Sequence, residues 1–191
     1  ELQTSIPCSD VITEQVLSNI IYALGGMQAQ WSSQNDLSPE TKTKLLDGVR
    51  HVSKKLTAQG ASNTMWGLAK MTVKWDTDID TSLKHSLENA LIEVLPRCNE
   101  QSLSSMVWAM GLLSVNLHKE TMAVLMNAVG DFATSKHMSE QAVANILYGI
   151  DRLGVKRHNL SLPMQEKLFT CISKVGPRMT PQAVSNSIYA L

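Results

Sequence analysis

The chain has 191 residues, with 17 Lys+Arg against 17 Asp+Glu and a net charge of zero, so no bulk field draws it to nucleic acid or acidic lipid. Its 43% hydrophobic and 18% charged residues exclude intrinsic disorder, and no apolar run approaches the roughly 18 residues of a membrane span. Cys8, Cys98 and Cys171 share no short Cys–Cys or Cys–His spacing, which excludes a disulfide framework and a zinc site and leaves reduced thiols packed as small apolar groups.

One motif recurs along the chain. Gln15, Gln59, Gln101, Gln141 and Gln182 are each followed four residues on by Asn19, Asn63, Ser105, Asn145 or Asn186. Three further on stands an aromatic: Tyr22, Trp66, Trp108, Tyr148 or Tyr189. A small residue follows at once (Ala23, Gly67, Ala109, Gly149, Ala190). Five copies in one phase mark a repeat protein.

Taken in order, residues 1–12 read as the tail of a preceding repeat, with Pro7 and Cys8 in the phase of Pro96–Cys98. Units then follow at 13–56, 57–98, 99–138 and 139–179, with a partial fifth at 180–191. This period of about 42 residues suits a two-helix repeat. Because the chain opens on Glu1 and stops inside a copy, it reads as a section of a longer array.

Each unit opens on a capping residue: Thr13, Thr57, Asn99, Ser139 and Thr180. Their side chains accept from the orphan amides of a helix start, and Pro181 suits the first helical position. Helix A follows, about 14 residues long, with apolar stripes such as Leu103, Met106, Val107, Met110 and Leu113, or Val143, Ile146, Leu147, Ile150 and Leu153. A connector comes next, in which Gly154 suits a left-handed helix end and Trp31 aligns with Trp75. Helix B begins near Ser38-Pro39 and Pro163. Its stripes are Leu45, Val49, Val52 and Leu56; Leu83, Leu87, Leu91 and Val94; Met122, Leu125, Met126 and Val129; and Leu168, Ile172 and Val175. The expected fold is all-α: a right-handed α-solenoid of stacked two-helix repeats, with A helices on one face and B helices on the other.

Asn is a poor helix former, because its side chain competes with the backbone, so its recurrence mid-helix needs a reason. The structural reading is a ladder, each Asn bridging to a backbone group of the next repeat. The functional reading is a row of amides open on a groove, able to address RNA bases one per repeat. The Gln, Asn/Ser and aromatic positions are taken as the inter-repeat seam, with the aromatics mostly core. Trp31, Lys74, Trp75, His118, Lys119, Lys156 and Arg157 form a candidate partner-binding edge along the connectors. By unit, charge runs +1, −1, −1 and +3, with −2 in the leading tail, thin for a protein that tracks phosphates. His51, His85, His118, His137 and His158 fall in unrelated phases, and no phosphate loop or nucleophile motif appears. No catalytic, cofactor or metal residue is therefore assigned.

The period, helix A and the connector Val73, Lys74, Trp75, Asp76 resemble the SKWP repeats of type III effectors from plant-pathogenic bacteria, HEAT/armadillo-like arrays. Lys74 and Trp75 match the second and third positions of that tetrapeptide; Lys156 matches only the Lys and Trp31 only the Trp. The third unit, with Asn116 and Leu117, departs from it, and the Pro is missing. The resemblance implies secretion into a host cell as a virulence effector and a non-enzymatic scaffold role toward a host protein. Asn63 to Lys70 is also similar to octotricopeptide and RAP-associated repeats, usually somewhat shorter, which implies single-stranded RNA as the alternative partner. The protein scaffold is the expectation carried forward.

Overall fold

The computed structural model describes residues 12–135, 138–181 and 184, and among these every regular element is helical, with no strand. The α-helices are α1 (Glu14–Gly26), α2 (Pro39–Val52), α3 (Ala58–Lys70), α4 (Trp75–Asp78), α5 (Thr81–Val94), α6 (Glu100–Leu113), α7 (Lys119–Ala133), α8 (Glu140–Arg152) and α9 (Leu162–Val175). Short 3-10 turns extend α2, α5 and α9. The leading tail with Pro7 and Cys8, His137, and Gln182, Asn186 and Tyr189 of the fifth copy lie outside the described residues.

The helix starts follow the side chains that begin each unit. Thr13, Thr57, Asn99 and Ser139 accept from the amides of Val16, Gly60, Ser102 and Ala142 at 3.3, 3.0, 2.8 and 3.2 Å. Such a cap contributes about 1 kcal/mol. Ser38 and Asp80 cap α2 and α5 in the same way. The α7 start lacks a side-chain cap of its own. Glu88 of α5 serves instead: its buried carboxylate accepts from the His118 amide and ring Nδ1 and from the Thr121 hydroxyl, at 2.8–2.9 Å. Three donors satisfy a charge that would otherwise be costly to bury.

The ends of α1, α3, α6 and α8 share one device. Gln28, Thr72, Ser114 and Gly154 stand at equivalent places with φ of 61, 62, 53 and 79°. The next amide in each case reaches back five residues, as Val73 does to the Leu68 carbonyl (3.1 Å) and Val155 to Ile150 (3.0 Å). This closes the helix and turns the chain into the connector. Of these four ends only that of α8 uses glycine for it. In the second connector the chain also winds a further turn, α4, starting at Trp75.

Two series of helices result. The first packs α1 on α3, α3 on α6 and α6 on α8; the second packs α2 on α5, α5 on α7 and α7 on α9. Inner members of the first series, α3 and α6, are buried on two sides: Met65, Leu68, Met106 and Met110 are at most 1% exposed. The second series buries one stripe each, including Leu45, Val49, Leu83, Leu87, Leu91, Leu125, Val129, Leu168 and Val175. Each such side chain contributes about 1.5–3 kcal/mol.

The helix contacts in the first series alternate in kind. A Cβ on Gly67 would lie 2.3 Å from the Ile21 carbonyl oxygen, and one on Gly149 would lie 2.4 Å from that of Val107. Backbones therefore touch where α1 meets α3 and where α6 meets α8. Between α3 and α6 the corresponding residues are Ala69 and Ala109, both buried. A carboxylate follows the same alternation. Glu14 accepts from the Thr57 amide and hydroxyl at 3.1 and 2.9 Å, and Glu100 from those of Ser139 at 2.8 and 2.6 Å. In α3 that position is Ala58, and no carboxylate reaches Asn99 from it.

Candidate functional site

At 100° per residue, positions 0, +4 and +7 of a helix share one face. In the first series that face is the accessible one. Gln15, Gln59, Gln101 and Gln141 are exposed; Asn63, Ser105 and Asn145 are half-buried, and Asn19 is exposed. Trp66, Trp108 and Tyr148 are half-buried, and Tyr22 is 46% exposed. The closest approach of α1 to α3 lies beside this face, on Ile21, Gly25 and Gly67. The Asn bridge between neighbouring helices is seen once among the described residues, with a side chain as the partner. Among the described residues no Asn of these rows bonds to the backbone of the next helix; Asn63 Nδ2 donates to Asn19 Oδ1 at 3.3 Å, and Gln141 Nε2 donates to Asn145 Oδ1 at 2.8 Å.

Four rows of amide and aromatic side chains thus stand side by side. The Tyr22 and Trp66 rings approach to 4.5 Å between centroids at 31°. Open recesses of about 530 and 450 Å³ run over the first three rows, the second of them lined by Asn19, Tyr22, Gln59, Asn63, Trp66 and Ser105. Another of about 390 Å³ joins the third row to the fourth, between Gln101, Ser105, Gln141 and Asn145. In the second recess the Tyr22 and Trp66 rings share one lining with the Asn19, Gln59 and Asn63 amides, which is what a planar, polar-edged group needs for stacking and edge contacts.

Two cations border these rows, and sequence reasoning passed over them. Lys70 and Arg152 come four residues after Trp66 and Tyr148, so they share the same helix face. Lys70 Nζ sits 5.8 Å from the Trp66 ring centroid. Arg97 lines the first recess. The signal was present in the i, i+4 spacing, but these residues do not recur in every copy.

The connector edge is a different matter. Lys74, His118, Lys119, Lys156 and Arg157 are exposed, but Trp31 and Trp75 are 6% and 2% exposed. These two tryptophans belong to the core and cannot meet a partner. Both sit where the chain leaves a left-handed helix end and folds back over the helix pair, which carries the indole inward. The Trp31 amide donates to the Met71 carbonyl at 2.9 Å, fixing the first connector to the end of α3. The edge that remains is a scatter of charge in which Lys156 pairs with Asp151 at 2.7 Å and Arg157 lies 4.9 Å over the Phe169 ring.

Cys98 and Cys171 are passive. Burial pushes Cys98 and Cys171 up to about 11, so both are protonated at neutral pH and poor nucleophiles. Among the described residues no group of His, Cys, Asp and Glu is placed to hold a metal ion, and no helix is long and apolar enough to cross a membrane. The chain matches no protein-family model and no curated protein.

Proposed function

We propose that this chain is part of a right-handed α-solenoid of two-helix repeats whose task is binding, not catalysis, and that its ligand is single-stranded RNA laid across the rows of α1, α3, α6 and α8. The observation that carries the reading is the accessibility of those rows. Asn is unfavourable inside a helix, and among the described residues it secures no backbone group of a neighbouring helix; its repeated amide shares a partly accessible face with a repeated ring. Helical repeats that present two or three side chains each are suited to addressing one base per repeat. A base stacked on an aromatic contributes about 1–3 kcal/mol whatever its identity, and amides add the edge contacts that discriminate. The neutral chain is compatible with this if stacking outweighs phosphate contact, with Lys70, Arg97 and Arg152 as the nearby cations. A host-protein scaffold drew on the repeat period, the charge balance and the connector tryptophans, and the burial of Trp31 and Trp75 takes away the last of these.

The test is an anisotropy titration of a labelled random-sequence RNA pool at moderate salt. Saturable binding is expected for the native chain. Asn63→Leu should weaken it with the melting temperature held within the range of ordinary surface substitutions, about 0.5 kcal/mol. Absence of RNA binding by the native chain ends the proposal; a Leu variant that binds normally but melts early returns Asn63 to a structural role.

A further inference from the structure

We infer that the third row, on α6, is a base-permissive subsite flanked by discriminating ones; this rests on the RNA reading above. The rows are not equivalent. In the first and second, Asn19 and Asn63 hold one another at 3.3 Å; in the fourth, Gln141 holds Asn145 at 2.8 Å. Each of these amides is oriented before a ligand arrives, and an amide presents a donor and an acceptor together, which suits it to a two-point contact with one base edge.

The third row has Ser105 in place of Asn. A hydroxyl reaches less far, and it rotates to donate or accept as its partner demands. Nothing among the described residues holds the side chain of Ser105 or of its row-mate Gln101, so Gln101 would lose rotamer freedom on ordering against a base. The shorter side chain also opens space, since Ser105 borders both the recess of about 450 Å³ and that of about 390 Å³. The aromatic position is kept, since Trp108 is a half-buried indole as Trp66 is. Stacking without a fixed edge contact accepts any base. The subsite therefore binds as its neighbours do and discriminates less.

Selection from a random RNA pool, followed by sequencing of the bound fraction, reads this directly. The native chain should enrich a short consensus in which one internal position stays near equal base frequencies while its neighbours do not. Ser105→Asn should create a preference of roughly tenfold at that position alone, the discrimination of one two-point amide contact. Asn63→Ser should relax an adjacent position, which keeps the test sound if the Asn variant folds poorly. If both variants leave the consensus unchanged while RNA is retained, the inference falls and RNA binding stands. If the native chain retains no RNA, the underlying reading falls and takes this one with it.

Discussion

At the scale of single residues, the helix ends are under different strain although they perform the same turn. Gln28, Thr72 and Ser114 hold φ between 53 and 62°, a region that costs an L-residue about 1–2 kcal/mol. The β-branched Thr72 is the worst suited of them. Its hydroxyl gains only a 3.4 Å contact with Gln30 Oε1 in return. Thr72→Gly should therefore stabilise the chain by about 0.5–1 kcal/mol, and Gly154→Val should destabilise it by about 1–2 kcal/mol. Urea denaturation followed by circular dichroism checks both signs. Equal effects at the two positions would mean that backbone conformation is not what distinguishes them. The left-handed end was legible in the sequence only where glycine marks it, at Gly154; the other three copies carry no local signal, and it is the packing of the connector that imposes the turn.

At the scale of elements, the first series is assembled in pairs. The contacts of α1 with α3 and of α6 with α8 each combine a backbone-to-backbone glycine contact with a carboxylate bridging two helix starts. The contact of α3 with α6 has neither. A Cβ at Gly67 or Gly149 needs the neighbouring carbonyl to retreat, and carbonyls within a helix have no rotamer to escape into. Gly67→Ala should thus cost about 1–3 kcal/mol, as overpacking does. Gly26→Ala makes the control: a Cβ there meets nothing within 4 Å, and the higher helix propensity of Ala should leave stability equal or up to about 1 kcal/mol greater. Thermal melts of both variants measure this, and a neutral Gly67→Ala would show that the seam can open without loss. The helices themselves were readable from caps and apolar period, since Leu83, Leu87, Leu91 and Val94 or Leu103, Met106, Val107, Met110 and Leu113 are buried as their spacing requires. The pairing was not, because it depends on which of two small residues meets which carbonyl across a gap of some 40 residues in sequence.

At the scale of the whole molecule, periodicity identified the residues of the candidate site but not how far they are open to solvent. The Gln–Asn–aromatic line sits at the border between the buried stripe and solvent. The recurrent aromatics there, expected mostly in the core, are half-buried in α3, α6 and α8 and exposed at Tyr22. The connector tryptophans failed in the opposite direction: with no helical period around Trp31 and Trp75, nothing in sequence said that the connector folds back over the core. What unites the molecule is a row of four ring-and-amide stations on helices held in register by their seams. The most direct measurement of that claim is the intrinsic fluorescence of the chain during titration with single-stranded RNA. Trp66 and Trp108 stand on the proposed platform, whereas Trp31 and Trp75 are sealed in the core. Stacking should quench the native chain saturably, and a Trp66→Phe, Trp108→Phe double variant of unchanged helicity should lose that signal. With only Lys70, Arg97 and Arg152 nearby, binding should weaken with salt at a log–log slope of about −2 or shallower. RNA binding that leaves the native tryptophan emission unchanged, or that falls with salt several times more steeply, would contradict a stacking face on these helices.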